Sequence, residues 1–394
     1  MTNSEQSVAQ GRIDWTRRHM PALVAAMHEF AASRPFDGLT VGFRIHLEPK
    51  TAILIETLLA GGARVVALGN EGTTQFGTVA VVSEWGCEVV ERPGDGPEEA
   101  QAHVRQIAAL QPDLILDNGA ELITACLSNT VLPRGATEET TSGAFRLRED
   151  FAGQVGFPVI VINDSPLKAI VENKHAVGES VVETIVHTTN ISFHKKRVVV
   201  FGYGWCGRGV AMYSRSRGAD VTIVEIDPVK SLEAAMDGFD VRHAENACET
   251  AEVVITATGR PAVVPYELIE TMPDGVLLAN ADHVGNEIAV EQLPPPGDGG
   301  ELMPSLTRHK LSDERSVFVL AGGQMVNLAV PGSMGNSIES MDLGFTLQAR
   351  SMAALIDPSF QLDNGPQPVP AEINNRIATA ILENMGQLTA AAGN

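Results

Sequence analysis

Val198-Val199-Val200-Phe201-Gly202-Tyr203-Gly204-Trp205-Cys206-Gly207 reads as an apolar strand running into a glycine turn that opens a helix. Glycines at 202, 204 and 207 satisfy G-x-G-x-x-G. Gly202 permits the tight turn, Gly204 lets backbone approach a pyrophosphate, and Gly207 lets the next helix pack closely with its N-terminus toward the phosphates. A second apolar run ends in Glu225, 18 residues after Gly207, where an acceptor for a ribose 2′-hydroxyl is expected. A carboxylate there repels a 2′-phosphate, so the expected cofactor is NAD rather than NADP.

The same alternation continues outward. Strand patterns at Leu39–His46, Arg64–Leu68, Leu114–Asp117 and Val159–Ile162 form a first series. Arg197–Phe201, Val221–Glu225, Val253–Ala257, Val276–Asn280 and Val317–Ala321 form a second. Helical patterns lie between them, among them Pro49–Ala60, Glu98–Leu110 and Arg208–Arg217, and Gly178–Thr189 joins the series. This is the pattern of an α/β protein with two doubly wound parallel sheets. The Pro/Gly-rich Leu293–Gly300 reads as a surface loop. Asp342–Leu355 has the spacing of a helix that crosses back to the first domain, and Pro370–Met385 of a last amphipathic helix.

The bulk numbers fit two domains: 394 residues, 44% hydrophobic, 20% charged, formal charge −21. Such a charge argues against nucleic acid or an anionic membrane as partner. There is no signal-peptide pattern at the N-terminus and no apolar run of spanning length. Cys87, Cys126, Cys206 and Cys248 form no C-x-x-C pair. The reading is a reduced, cytoplasmic protein with no metal site.

Several motifs together resemble the adenosylhomocysteinase family, whose members hydrolyse S-adenosylhomocysteine. They are the glycine loop with Glu225-Ile226-Asp227-Pro228 and Ala234-Ala235-Met236-Asp237-Gly238, His46 with Thr51-Ala52, Asp117-Asn118-Gly119, Glu138-Glu139-Thr140-Thr141-Ser142-Gly143, Asn163-Asp164-Ser165 with Lys168, Asn280 with His283, and Val326-Asn327-Leu328. The resemblance spans almost the whole chain. It implies a Rossmann NAD domain, 185–344, inserted into a discontinuous substrate domain, 1–184 and 345–394. It also implies a homo-oligomer, dimer or tetramer, acting on a small nucleoside.

It further implies residue roles. Lys168 and Glu172 serve the ribose 3′-hydroxyl and its proton. Asp117 stands near the C4′ proton, His46 and His283 at the 5′ leaving group, and Glu139 on a ribose hydroxyl. Thr140, Thr141, Ser142, Asn173, Thr258, Asn280 and Asn327 join Gly202, Gly204, Gly207 and Glu225 around NAD. The chemical logic is acidity: a C4′–H is removable only once the 3′-hydroxyl has become a ketone, after which the 5′ group leaves, and water addition and re-reduction complete hydrolysis. Each residue also has a plainer reading. Glu139 and Asp117 fit helix starts, His46 a core histidine, and Lys168 with Glu172 an i,i+4 surface pair.

The departures cluster around the base and the leaving group. The family's H-x-T-x-Q-T is His46-Leu47-Glu48-Pro49-Lys50-Thr51 here, so Glu48 and Lys50, with Thr51, put charge where a neutral base sits. D-N-x-x-x-C has become Glu172-Asn173-Lys174-His175-Ala176-Val177, and the histidine of G-H-P-S is missing from Pro331–Ser337. Trp205 replaces the glycine-loop aspartate, and Asp282 precedes His283. The family's C-terminal extension toward a neighbour's NAD is expected to be absent. Two functions follow as expectations: a dehydratase that stops at a 4′,5′-unsaturated nucleoside in specialised metabolism, or a divergent adenosylhomocysteinase.

Overall fold

The computed structural model describes residues 3–70, 73–283, 285–297 and 300–387; of the Pro/Gly-rich loop, 298–299 lie outside the described residues. Fifteen strands follow in chain order: β1 Thr40–Arg44, β2 Arg64–Leu68, β3 Glu88–Val89, β4 Leu114–Asp117, β5 Gly135–Glu138, β6 Pro158–Val161, β7 Arg197–Phe201, β8 Asp220–Val224, β9 Asp240–Val241, β10 Val253–Thr256, β11 Leu277–Asn280, β12 Glu301–Met303, β13 Leu306–Lys310, β14 Ser316–Leu320 and β15 Gly365–Pro368. The chain divides into two compact units, Met1–Lys168 with Ile338–Asn394, and Ala169–Ser337.

In the first unit the sheet runs β15-β6-β5-β4-β1-β2-β3, and every pairing is parallel. Both faces are covered, as a parallel sheet requires. Val41, Phe43, Leu114 and Leu116 point into one apolar cluster, while the intervening Ile115, with Val66 and Leu68, points into another. Chain order reverses between β1 and β4, the topological switch at which open α/β sheets take their ligands. The helix Ile338–Ala354 returns to this unit: Met341, Phe345, Ala349 and Met352 enter its core. The buried Asp342 accepts hydrogen bonds from Ala22 N and Leu23 N at the start of helix Pro21–Ser33.

In the second unit the sheet runs β12-β13-β14-β11-β10-β7-β8-β9. From β9 to β14 this is the 3-2-1-4-5-6 order of a dinucleotide fold. The sheet is parallel as expected from β9 to β14, and beyond it β12, β13 and β14 form an antiparallel edge. In β13, Leu306-Thr307-Arg308-His309-Lys310, the buried positions are Leu306 and His309, so the run lacks the continuous apolar character of the central strands. β15 was illegible for another reason. Gly365-Pro366-Gln367-Pro368 has two residues without an N–H, which is tolerated at the sheet edge where it lies.

The helix Val177–Thr189 crosses the glycine-loop helix Trp205–Ser216 backbone to backbone. A Cβ on Gly209 would stand 1.8 Å from Lys174 O, and one on Gly178 would stand 2.4 Å from the Gly209 carbonyl carbon. Overpacking of this kind costs about 1–3 kcal/mol. Gly209→Ala should therefore lower the melting temperature by several degrees, at roughly 2–4 °C per kcal/mol for a unit of this size. A melt coincident with the parent's would show that the helices are free to separate.

Candidate active site

Consecutive strands of the first unit each deliver a polar residue just past their C-terminal ends. From β6 comes Lys168, from β5 Glu139, from β4 Asn118, from β1 His46, and from β2 Asn70 and Thr73. Lys168 Nζ lies 3.4 Å from Glu139 Oε1, both side chains buried. Asn118 Nδ2 donates to Glu139 Oε2 at 2.9 Å, and Asn70 Nδ2 donates to Asn118 Oδ1 at 2.8 Å. His46 Nδ1 is 2.9 Å from Thr73 Oγ1, which donates to Asn70 O. The amides thus form a hydrogen-bonded line ending on a carboxylate. Burial pushes the Glu139 carboxyl up, but Lys168, Asn118 and His46 together outweigh it and hold the group below the ordinary carboxylate range.

Asp117 is not part of this line. Its Oδ1 accepts from Asn118 N and its Oδ2 from Ile123 N, in the first turn of helix Glu121–Cys126. Burial raises its pKa, and Arg44, 3.9 Å away, opposes that. Asp117, expected near the C4′ proton, is thus engaged by backbone N–H groups, and the side chain that reaches Glu139 is that of Asn118, which the D-N-G motif contained without assigning. Arg44 also donates to Asn118 O and pairs with Glu121. The surface-pair reading of Lys168 and Glu172 is corrected as well, since both are buried in a π-helix, Lys168–Ala176, that also carries the half-buried Asn173. π-Helical turns are rare and concentrate at functional sites.

Next to His46, Glu48 is the N-cap of helix Pro49–Ala60. Its carboxylate accepts from Lys50 N, and Lys50 Nζ pairs with Glu48 Oε1 at 3.3 Å. Thr51 Oγ1 accepts from Glu48 N and donates to Glu48 O. The charged pair thus sits on a rigid helix start. Thr140 caps helix Thr141–Glu149, its Oγ1 accepting from Gly143 N and donating to Glu138 Oε1. Thr141 and Ser142 are exposed in the first turn.

The second unit carries the dinucleotide features. Gly202 has φ 92°. A Cβ on Gly204 would meet nothing within 4 Å, so this glycine is not demanded by packing and leaves the helix N-terminus uncovered. Glu225 accepts from Tyr203 N, Ile226 N and Asp227 N at 2.8–2.9 Å, which fixes its carboxylate beside the glycine loop. Thr258 and Gly259 donate to the buried Glu287, whose carboxyl is pushed up by burial. Asn280, expected at the cofactor, lies at the end of β11 with its amide joining Thr256, Asp282 and Gly323. His283 is exposed, its N–H donating to Asp282. Buried Asn327 donates to Ser180 Oγ, and among the described residues its Oδ1 has no donor. These features fit NAD: a cradle without side chains at a helix N-terminus, a fixed ribose acceptor, and a buried amide oxygen able to receive an N–H.

Residues 173–333 match the model of the S-adenosyl-L-homocysteine hydrolase NAD-binding domain, and residues 3–133 the model of S-adenosyl-L-homocysteine hydrolase. An S-inosyl-L-homocysteine hydrolase of Methanopyrus kandleri is 40% identical over 388 residues, covering 95% of this chain and 90% of the relative. An adenosylhomocysteinase of Thermococcus kodakarensis is 38% identical over 382 residues, with the same coverage. An S-inosyl-L-homocysteine hydrolase of Methanococcus maripaludis is 37% identical over 390 residues, covering 95% and 91%. The chain belongs to the S-adenosyl-L-homocysteine hydrolase family. It has the family's NAD-binding domain, and NAD is its cofactor.

In this family member Gly207 is indispensable for a reason visible in the backbone: a Cβ there would lie 2.0 Å from Gly202 O. Gly207→Val should force the turn open and abolish NAD retention, read as nucleotide released on denaturing the purified protein. Nucleotide at the parent's level would refute this role for the turn. No described helix is long and apolar enough to cross a membrane, and no described cluster of His, Cys, Asp and Glu suits a metal.

Proposed function

We propose that this protein hydrolyses an S-nucleosyl-homocysteine whose base is a lactam purine, hypoxanthine rather than adenine. The observation that carries this reading is the Glu48–Lys50 pair beside His46. Hypoxanthine presents N1–H, a donor, next to O6, an acceptor. A carboxylate and an ammonium match that edge. In the register that sets Glu48 on N1 and Lys50 on the 6-substituent, adenine presents the reverse, an N1 acceptor next to an amino donor, and would set donor against Lys50 and acceptor against Glu48. Relatives named for S-inosyl-homocysteine are consistent with this choice.

The first unit supplies the nucleoside groups and the second unit holds NAD through Gly202, Gly204, Gly207, Glu225 and Asn327. NAD supplies reversible removal of hydride from a secondary alcohol carbon. Glu139, kept anionic by Lys168, accepts a ribose hydroxyl. Lys168 and Glu172 carry the 3′-hydroxyl proton away, and His46 gives a proton to the departing 5′ sulfur. Asp117, the group expected near the C4′ proton, accepts one backbone N–H on each oxygen, which leaves lone pairs able to take that proton. We take the active form to be a homo-oligomer.

The test is to supply S-inosyl- and S-adenosyl-homocysteine to the NAD-loaded protein and follow free homocysteine, with solvent deuterium entering C4′. S-Inosyl-homocysteine should be preferred by a factor of about 100 or more. Equal rates would remove the lactam reading. Release from neither, with a 4′,5′-unsaturated product from free nucleosides, would establish the dehydratase instead.

A further inference from the structure

Glu138 ends β5 and is fully buried, yet nothing in the chemistry above uses it. We infer that Glu138 is a positioning residue, which clamps the loops after β4 and β5 so that Asn118 and Glu139 keep their mutual hydrogen bond. The inference rests on the reading that Glu139 faces the substrate.

The clamp is explicit in the bonds. Glu138 Oε1 accepts from Gly119 N at 3.0 Å, from Thr140 N at 2.8 Å and from Thr140 Oγ1 at 2.7 Å, while Oε2 accepts from Ala120 N at 2.8 Å. The donors border Asn118 on one side and Glu139 on the other. Asp117 and Glu138 are paired in register across β4 and β5, so the residues following them emerge side by side. Their side chains meet at 2.9 Å.

Further features show that this arrangement is imposed. Ala120 has φ 57°, a left-handed conformation that a residue with a Cβ resists, and its N–H is held by Glu138 Oε2. Gly143 lies so close that a Cβ on it would be 2.2 Å from Glu138 Oε1. Burial and the neighbouring Asp117 push the Glu138 carboxyl up to about 8, and the bonds from Gly119 and Thr140 oppose that; whatever its charge, both of its oxygens accept here, and an amide would turn a donor toward some of these N–H groups. The charged neighbour acting on Glu138 is Asp117, with Arg44 3.9 Å behind that carboxylate. Those around Glu139 are Lys168 and His46.

The experiment uses the full-length, NAD-loaded protein with Glu138→Gln and, independently, Gly143→Ala, which pushes on the clamp without altering any charge. Each should lengthen the Asn118–Glu139 contact in a crystal structure and lower kcat roughly tenfold or more, since small displacements of positioned groups are costly. Each should also move the acid limb of kcat/KM upward, because Glu139 loses a donor that favours its anion. A general loss of stability would lower the active fraction but leave the limb in place. NAD retention should match the parent's. An intact contact together with an unmoved acid limb in both variants overturns the proposal. If Glu138→Gln does not fold, Gly143→Ala decides it. If the parent cleaves neither nucleosyl-homocysteine, the proposed function fails, and the crystallographic contact still decides the role of Glu138.

Discussion

Lys168→Met is expected to lower turnover by roughly two to three orders of magnitude and to reverse the pH dependence of one part of the protein's stability. Lys168 and Glu139 form a buried pair. Removing one partner of such a pair typically costs about 3–5 kcal/mol of stability, because the other charge is left uncompensated, and losing a side chain that moves a proton in the reaction typically costs about 10²–10⁴ in rate. In the parent, Lys168 leads the groups that hold Glu139 below its ordinary range against burial. Glu139 therefore contributes stability above its unfolded pKa, and that stability is lost as pH falls through the lower folded value. Without the ammonium, burial dominates and the folded pKa rises above the unfolded one. The contribution then becomes a penalty at neutral pH that disappears on acidification. Melting curves at pH 7 and pH 5 should show the variant closest to the parent at pH 5. A difference that is equal at both pH values would mean that Lys168 does not control the Glu139 charge.

Exchanging Glu48→Thr together with Lys50→Gln should reverse base preference toward S-adenosyl-homocysteine. A site built to hydrogen-bond a substrate discriminates strongly, since a wrong partner leaves buried polar groups unmatched; the ratio reaches about 10⁴. Each single substitution should do worse than the double, because either alone breaks the 3.3 Å pair and changes the net charge at the helix start. Glu48 also caps helix Pro49–Ala60, and threonine serves as an N-cap too, so the exchange preserves the helix start. The measurement is kcat/KM for both nucleosyl-homocysteines in the four proteins. An unchanged ratio in the double variant would place base recognition elsewhere.

Much of this was legible in the chain. β2, β4 and β7 occur where their apolar runs end, and Pro49–Ala60 is a helix over its expected span. These segments carry strong local signals. β5 does not: Gly135-Ala136-Thr137-Glu138 is short, opens on glycine and ends on a carboxylate, and becomes a strand through its neighbours on both sides. The glycine loop with Glu225 was readable because the backbone itself forms the site. The Asp117–Asn118 pair was not, because adjacent residues at a strand end face different ways, and only the hydrogen bonds of the folded loop reveal that Asp117 holds backbone N–H groups while Asn118 reaches Glu139.

The interruption of the first unit has a consequence for biosynthesis. Its helix Ile338–Ala354 fills the core, and its edge strand β15 pairs with β6, yet both are made after the whole of Ala169–Ser337. Domains fold as units while the chain emerges. The continuous second unit can therefore finish on the ribosome first, while the residues begun earliest wait with an incomplete core. The waiting portion contains apolar β1 and β2 segments, so its time of exposure is set by the length of the insertion. A chain arrested before residue 338 would display a complete NAD fold tethered to a half-built nucleoside fold, the state most in need of a chaperone.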